Sequence, residues 1–352
     1  MSQFAPLCRA LLALAVVVAV VVPLTAASRP HIPAPVPARL APATAATLPQ
    51  AYAANRANIL QAAREAELAG AFGRAARLRV LADGGRQYLA FDGRGLGRVV
   101  EVMGDLAHAD RIAVLVPGAD TNLDTYDALG GNPPAGLVRR GDAASACAVP
   151  ATGAVRVDHR SLGGAALELR SQLCRQDSAA RVAVVTWLGY DAPGLTDPSI
   201  LTSSRARAAA PALRAFVATV HRIRPQADVT LLCHSYGSVV CGQAAPQLDV
   251  ASIVLFASPG VDEPDVAALH TRAAVWAGRG SSDWIAGIPH LSISLPGGAS
   301  LGFGQDPTAA AFGARRFAAG PGGHSDYFTP GSLSLRNLAH IVLSQDPEAA
   351  HA

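Results

Sequence analysis

Five short apolar runs, at residues 112–116, 182–186, 229–232, 253–256 and 273–276, constrain this chain more than any other feature. Each has the length of a strand, and each lacks the polar–apolar alternation of a sheet with one wet face. The segments between them are longer and place apolar residues at helical spacing. Residues 211–223 do so most plainly, followed by 239–245, 266–269 and 335–343. Strands buried on both faces and alternating with helices predict an α/β fold, a mostly parallel doubly wound sheet flanked by helices. Upstream, residues 55–68 read as an opening helix. Residues 78–81, 88–91 and 99–102 read as short strands between glycine-rich turns. The run Gly93-Arg94-Gly95-Leu96-Gly97 is one such turn and not a nucleotide loop, because no helix follows it.

Ligands of such a sheet bind beyond the carboxyl ends of its strands. The third run ends there at Cys233-His234-Ser235-Tyr236-Gly237-Ser238, and a helical segment follows. Small residues around a serine at a strand-to-helix junction mark a nucleophile elbow, whose strained turn lifts the serine oxygen above the sheet. Gly237 meets the demand for a small neighbour two residues after the serine. Cys233 stands where glycine is usual and is small enough to be tolerated. Among 33 glycines, chance Ser-x-Gly triplets are common, so the surroundings must carry the assignment.

A serine needs a base to take its proton and a third group to orient that base. An elbow enzyme presents them in the chain order serine, acid, histidine. Asp283 lies in a polar loop just past the fifth run and is the first candidate acid. Asp262, after the preceding run, is its rival, and Asp265 is farther off. For the base, His324 follows Gly322-Gly323 in a loop ahead of the last helix. His290 precedes a strand, His340 falls inside a helix and His351 lies in the tail. The oxyanion requires preorganised N–H donors. Tyr236 supplies one, and the loop Pro117-Gly118-Ala119-Asp120 the other, through Ala119 or its neighbour Asp120. Tyr190 and Trp284, aromatic residues near strand ends on this face, are candidate walls of a substrate cleft.

Several pieces together carry a resemblance: Val114-Leu115-Val116-Pro117-Gly118, Trp187-Leu188-Gly189-Tyr190-Asp191-Ala192-Pro193, His234-Ser235-Tyr236-Gly237-Ser238, Ala257-Ser258-Pro259-Gly260 and Gly323-His324-Ser325. With them the chain resembles a mostly actinobacterial branch of the α/β-hydrolases that has no defined substrate. The resemblance spans residues 77–343. It implies Ser235 as nucleophile and His324 as base, supports Asp283 as acid, and calls for no cofactor and no metal.

The amino terminus carries one arginine, Arg9, then an apolar run over residues 10–24 and the small residues Thr25-Ala26-Ala27-Ser28. This is the pattern of a secretory signal over residues 1–27. The alternative is an uncleaved anchor, although about 20 apolar residues are needed to span a bilayer comfortably. Residues 28–50 are rich in proline and alanine and read as an extended tether. Residues 51–344 form the expected hydrolase domain, and residues 345–352 a tail. An exported chain suits an oxidising compartment, where Cys147 with Cys174 and Cys233 with Cys241 are the favoured disulfides. Two buried thiols are the other reading of the second pair.

The net charge is +3 and every basic side chain other than histidine is arginine. The arginines are scattered, without a basic helix, which argues against nucleic acid as a partner. The expectation is therefore a secreted serine hydrolase acting on a small-molecule or lipid ester, compatible with association with the cell envelope. Acyl transfer to a sugar or lipid hydroxyl uses the same groups. A dormant envelope-binding module is the reading from outside enzymology, and amide cleavage is a weaker enzymatic one.

Overall fold

The computed structural model describes residues 32–82, 85–127, 158–294 and 300–349. The signal segment and Cys147 lie outside the described residues. Two helices open the domain, α1 (Leu48–Leu68) and α2 (Phe72–Leu81). The next elements are β1 (Gln87–Asp92), β2 (Arg98–Met103), β3 (Arg111–Val116), α3 (Leu162–Gln176) and β4 (Val182–Leu188). The second half holds α4 (Ser204–Ile223), β5 (Asp228–His234), α5 (Tyr236–Ala244), β6 (Ser252–Phe256) and β7 (Ala274–Gly278). A hairpin of β8 (Ser292–Ser294) and β9 (Ser300–Gly302), the short β10 (Arg315–Arg316) and α6 (Leu333–Val342) complete it.

Among the described residues, eight strands form one sheet in the order β1-β2-β4-β3-β5-β6-β7-β10. β1 and β2 run antiparallel, and the strands from β4 onward are parallel. The five apolar runs form its middle. Alternate residues along β3 serve two cores: Ile112, Val114 and Val116 face α4 and α5, whereas Ala113 and Leu115 face the helices of the opposite side. That is why the runs are apolar throughout. The register places Val116 of β3 beside Cys233 of β5, so the loops leaving these two strands emerge side by side.

Three sequence expectations change. Residues 78–81 form the end of α2 rather than a strand. Leu78 and Val80 alternate with arginines, but Ala75, Leu78 and Leu81 share one buried helical face, and that face prevails. Helix α4 starts at Ser204, upstream of Pro211, which sits on its solvent side. Residues 266–269 give only a 3-10 turn, ended by His270 at φ 47°.

Ordered packing also extends on both sides of residues 51–344. Pro49 sits in the first turn of α1, where its missing N–H costs nothing. Ile32 and Ala34 of the proline-rich stretch pack against the core. Within the expected tail, the Glu348 carbonyl accepts from the N–H of Ala318 at 2.8 Å, which ties residues of the tail to the strand edge.

Candidate active site

Strand β5 delivers Ser235 to the carboxyl edge of the sheet, and α5 begins at the next residue. Ser235 sits at φ 52°, ψ −124°, a positive φ that a side-chain-bearing residue adopts only under compulsion. The compulsion is packing. A Cβ on Gly237 would lie 2.5 Å from the carbonyl oxygen of Val116 and 2.7 Å from that of Pro117. A Cβ on Gly118 would lie 2.7 Å from that of Ser235. The strands approach so closely here that glycine is required at both positions. Cys233 and Cys241 form a disulfide that joins the end of β5 to α5. Cys174 is also disulfide-bonded, and its expected partner Cys147 lies outside the described residues.

Ser235, His324 and Asp283 come together. The Oγ of Ser235 is 3.0 Å from Nε2 of His324, and Nδ1 of the same ring is 2.8 Å from Oδ1 of Asp283. Asp283 is 3% exposed, so its charge must be satisfied internally. Oδ1 also accepts the N–H of Ile285 at 3.0 Å, and Oδ2 accepts the hydroxyl of Tyr327 at 2.7 Å. Burial pushes the Asp283 carboxyl up, but the hydrogen bonds from His324, Ile285 and Tyr327 outweigh it and hold the group below the usual range. The rival acids are placed elsewhere. Asp262 accepts from Ser292 at 3.2 Å, and Asp265 accepts the N–H of Ala268 at 2.8 Å.

Neither His234 nor Tyr327 was expected from sequence, and each positions a member of this trio. The imidazole Nε2 of His234 lies 2.8 Å from the backbone oxygen of His324, which holds that residue by its main chain. Burial first, and the neighbouring His324 ring second, push His234 down to about 4. It is therefore neutral at pH 7 and donates from Nε2. Adjacency to the serine and to the base was the available signal, one residue before Ser235 and three after His324.

Of the candidate oxyanion donors, Asp120 is engaged: its N–H donates to Pro193 O at 2.8 Å. Among the described residues, the N–H groups of Ala119 and Tyr236 have no protein acceptor, and both residues line the cavity above Ser235. Tyr236 also opens α5, whose amino end favours negative charge. That cavity has a volume of about 1020 Å³.

Trp284 is one of its walls, with its ring centroid 4.4 Å from that of His324. Tyr190 is not. It is buried, stacked on Trp187 at 5.9 Å, and donates its hydroxyl to Pro117 O at 2.7 Å. An aromatic ring at a strand end reads as a wall in sequence. Here the turn directs it inward, where it braces the loop carrying Ala119. Among the described residues, no group of three or more His, Cys, Asp or Glu side chains is arranged to hold a metal ion.

The sequence profile of the alpha/beta hydrolase family matches residues 92–293. An uncharacterised protein of Mycobacterium tuberculosis is 35% identical over 203 residues, 50% of this chain and 31% of that protein. One of Mycobacterium bovis is 41% identical over 86 residues, 23% of this chain and 31% of that protein. The aligned region thus spans about a third of the length of these relatives. Solved structures that resemble this one include an α/β serine hydrolase without a lid from Xanthomonas campestris. It has 14% identity and a TM-score of 0.38, over 74% of this chain and 95% of that one. Esterase PE8 has 14% identity and a TM-score of 0.39, over 69% and 96% of the two chains.

Proposed function

The chain belongs to the alpha/beta hydrolases, and from that premise we propose that it is a secreted serine hydrolase cleaving carboxylic esters through an acyl-enzyme. The observation that carries the reading is the unbroken hydrogen-bonded line from Ser235 through His324 to a buried Asp283, opening into a cavity. In the proposed cycle, Nε2 of His324 takes the proton of Ser235 as Oγ attacks the ester carbonyl. Asp283 holds the Nδ1–H of the imidazolium. The N–H groups of Tyr236 and Ala119 receive the oxyanion. The C–O bond to the alcohol then breaks, and His324 returns the proton to the departing oxygen. Water, deprotonated by the same ring, releases the acid and restores Ser235.

Export is part of the proposal. The amino-terminal pattern and the disulfide across the elbow both suit an oxidising compartment. The mycobacterial relatives suit the actinobacterial branch that the sequence resembles. Fluorophosphonate labelling with peptide mapping tests the reading. Labelling at Ser235 that disappears in Ser235→Ala and His324→Ala is expected. A folded protein that resists labelling would remove the reading in favour of a dormant binding module. Product analysis with an added acceptor alcohol separates hydrolysis from acyl transfer.

A further inference from the structure

The cavity above Ser235 has far more room than a short ester fills, about 1020 Å³, and its two ends differ in chemistry. Beside Tyr236 the wall is apolar: Leu195, Ile200, Leu201, Ile288 and Phe303. These residues come from different segments that are tied together. Thr202 bridges to Leu301, and the Tyr236 hydroxyl donates to Thr202 O at 2.7 Å. The ring of Tyr236 meets that of Phe303 edge-on at 5.7 Å. Leu195 and Leu201 are 64% and 57% exposed, so this arm holds large apolar side chains in water. Such a surface is stabilised when an apolar ligand covers it.

The other end is mixed, with Asp120, Asn122, Thr125, Arg160 and Ser161 on the wall beside the apolar Leu96 and Leu162. It belongs to the side of the base. Ser325 adjoins His324 in the chain, and Arg160 pairs with Asp326 at 3.2 Å. A departing alcohol must take its proton from Nε2 of His324, so the alcohol lies on this side and the acyl group on the other. The cations here are already matched. Arg74 holds Asp124 through two bonds of 2.5 and 2.6 Å, and Arg160 holds Asp326. Asp120 adds a carboxylate that is exposed. A phosphate would meet paired arginines and an acidic group, whereas neutral hydroxyls would find both donors and acceptors.

We infer that the substrate class is an ester joining an extended apolar acyl chain, seated along Leu195, Leu201 and Phe303, to an uncharged polyhydroxy alcohol such as glycerol or a sugar, seated toward Asn122 and Arg160. This rests on the hydrolase reading and is tested apart from it. The full chain carrying Ser235→Ala is titrated by calorimetry with the ethyl, butyl, hexyl and octyl ethers of glycerol, which cannot be hydrolysed. The dissociation constant is expected to fall about two- to fourfold per methylene. A double Leu195→Ser, Leu201→Ser variant, altered only at exposed positions, should flatten the series. A phosphorylated octyl ether should bind more weakly than the neutral one. A constant that ignores chain length, or a series unchanged in the double variant, overturns the acyl assignment. Tighter binding of the phosphorylated ether overturns the neutral-alcohol assignment. Failure of fluorophosphonate labelling beside an intact chain-length series would remove the hydrolytic reading and leave the ligand class standing.

Discussion

The hydroxyl of Tyr327 sits between the acid and the strand end, donating to Oδ2 of Asp283 at 2.7 Å and accepting the N–H of Gly280 at 3.0 Å. It therefore stabilises the ionised carboxylate and the loop that carries it with one atom. Tyr327→Phe leaves Oδ2 without this donor. The expected result is a loss in kcat of about tenfold, matching one net hydrogen bond to a charged group of about 1.4 kcal/mol, with little change in KM. The carboxyl loses part of what holds it below the usual range. Its protonation then moves to higher pH, and the acid limb of the kcat profile should move with it. The same depression contributes native stability above the ordinary carboxylate value and loses it as pH falls through the native one. An acid limb unchanged in the variant would argue that Tyr327 is only a brace.

His234 predicts a second pH effect, on stability. Its native value of about 4 lies below its ordinary 6.5. As pH falls below 6.5, the unfolded chain takes up a proton that the native chain refuses until about 4. Stability should therefore decline through that window. The full shift corresponds to an upper bound of about 3 kcal/mol. His234→Gln should remove this decline in melting temperature between pH 6.5 and 4, and an unchanged slope would refute the assignment.

Gly118→Ala tests the close approach at the elbow. The added methyl would stand 2.7 Å from Cβ of Ser235 and 3.2 Å from the carbonyl oxygen of His234. Every one of these contacts belongs to the turn at His234 and Ser235, so Ser235 must shift. A loss in kcat/KM of about a hundredfold is expected, consistent with a displacement near one ångström. Gly287→Ala, where nothing stands within 4 Å, is the control and should be neutral.

How much of this was legible in the chain depended on how local each feature is. The five central strands were readable because burial on both faces leaves an unbroken apolar signature. That Ser235, Asp283 and His324 would meet was readable because the sheet dictates which loops emerge beyond its carboxyl edge. Helix α3 was missed: its first turn, Leu162-Gly163-Gly164-Ala165, carries two poor helix formers. What starts it is Ser161, whose hydroxyl accepts the N–H of Gly164 at 3.2 Å. Tyr190 was misread because the direction of a ring at a strand end is set by packing against Trp187 and Pro117, residues that only the fold brings near. His234 and Tyr327 have roles that exist only across the gap between two loops.

A buried ion pair below the sheet edge offers a test unrelated to catalysis. Arg86 holds Glu101 through bonds of 2.8 and 2.6 Å, and Tyr126 donates to the same carboxylate at 2.7 Å. Arg86→Met would remove the buried cation that faces both Glu101, which is 1% exposed, and Asp127, whose Oδ2 it holds at 2.6 Å. Denaturant titration should show a loss of about 3–5 kcal/mol. Arg86→Met combined with Glu101→Leu should recover the part of it that belongs to Glu101, leaving the part that belongs to Asp127.

The disulfide between Cys233 and Cys241 has one further consequence. Ser235 lies inside the small covalent ring that this bond closes, together with its strained turn and the first turns of α5. The strand end and the helix cannot drift apart to let the serine relax into an ordinary conformation. Wear on this turn during heating or ageing would accordingly have no early, local stage. The strained geometry of Ser235 should therefore persist until the molecule as a whole unfolds.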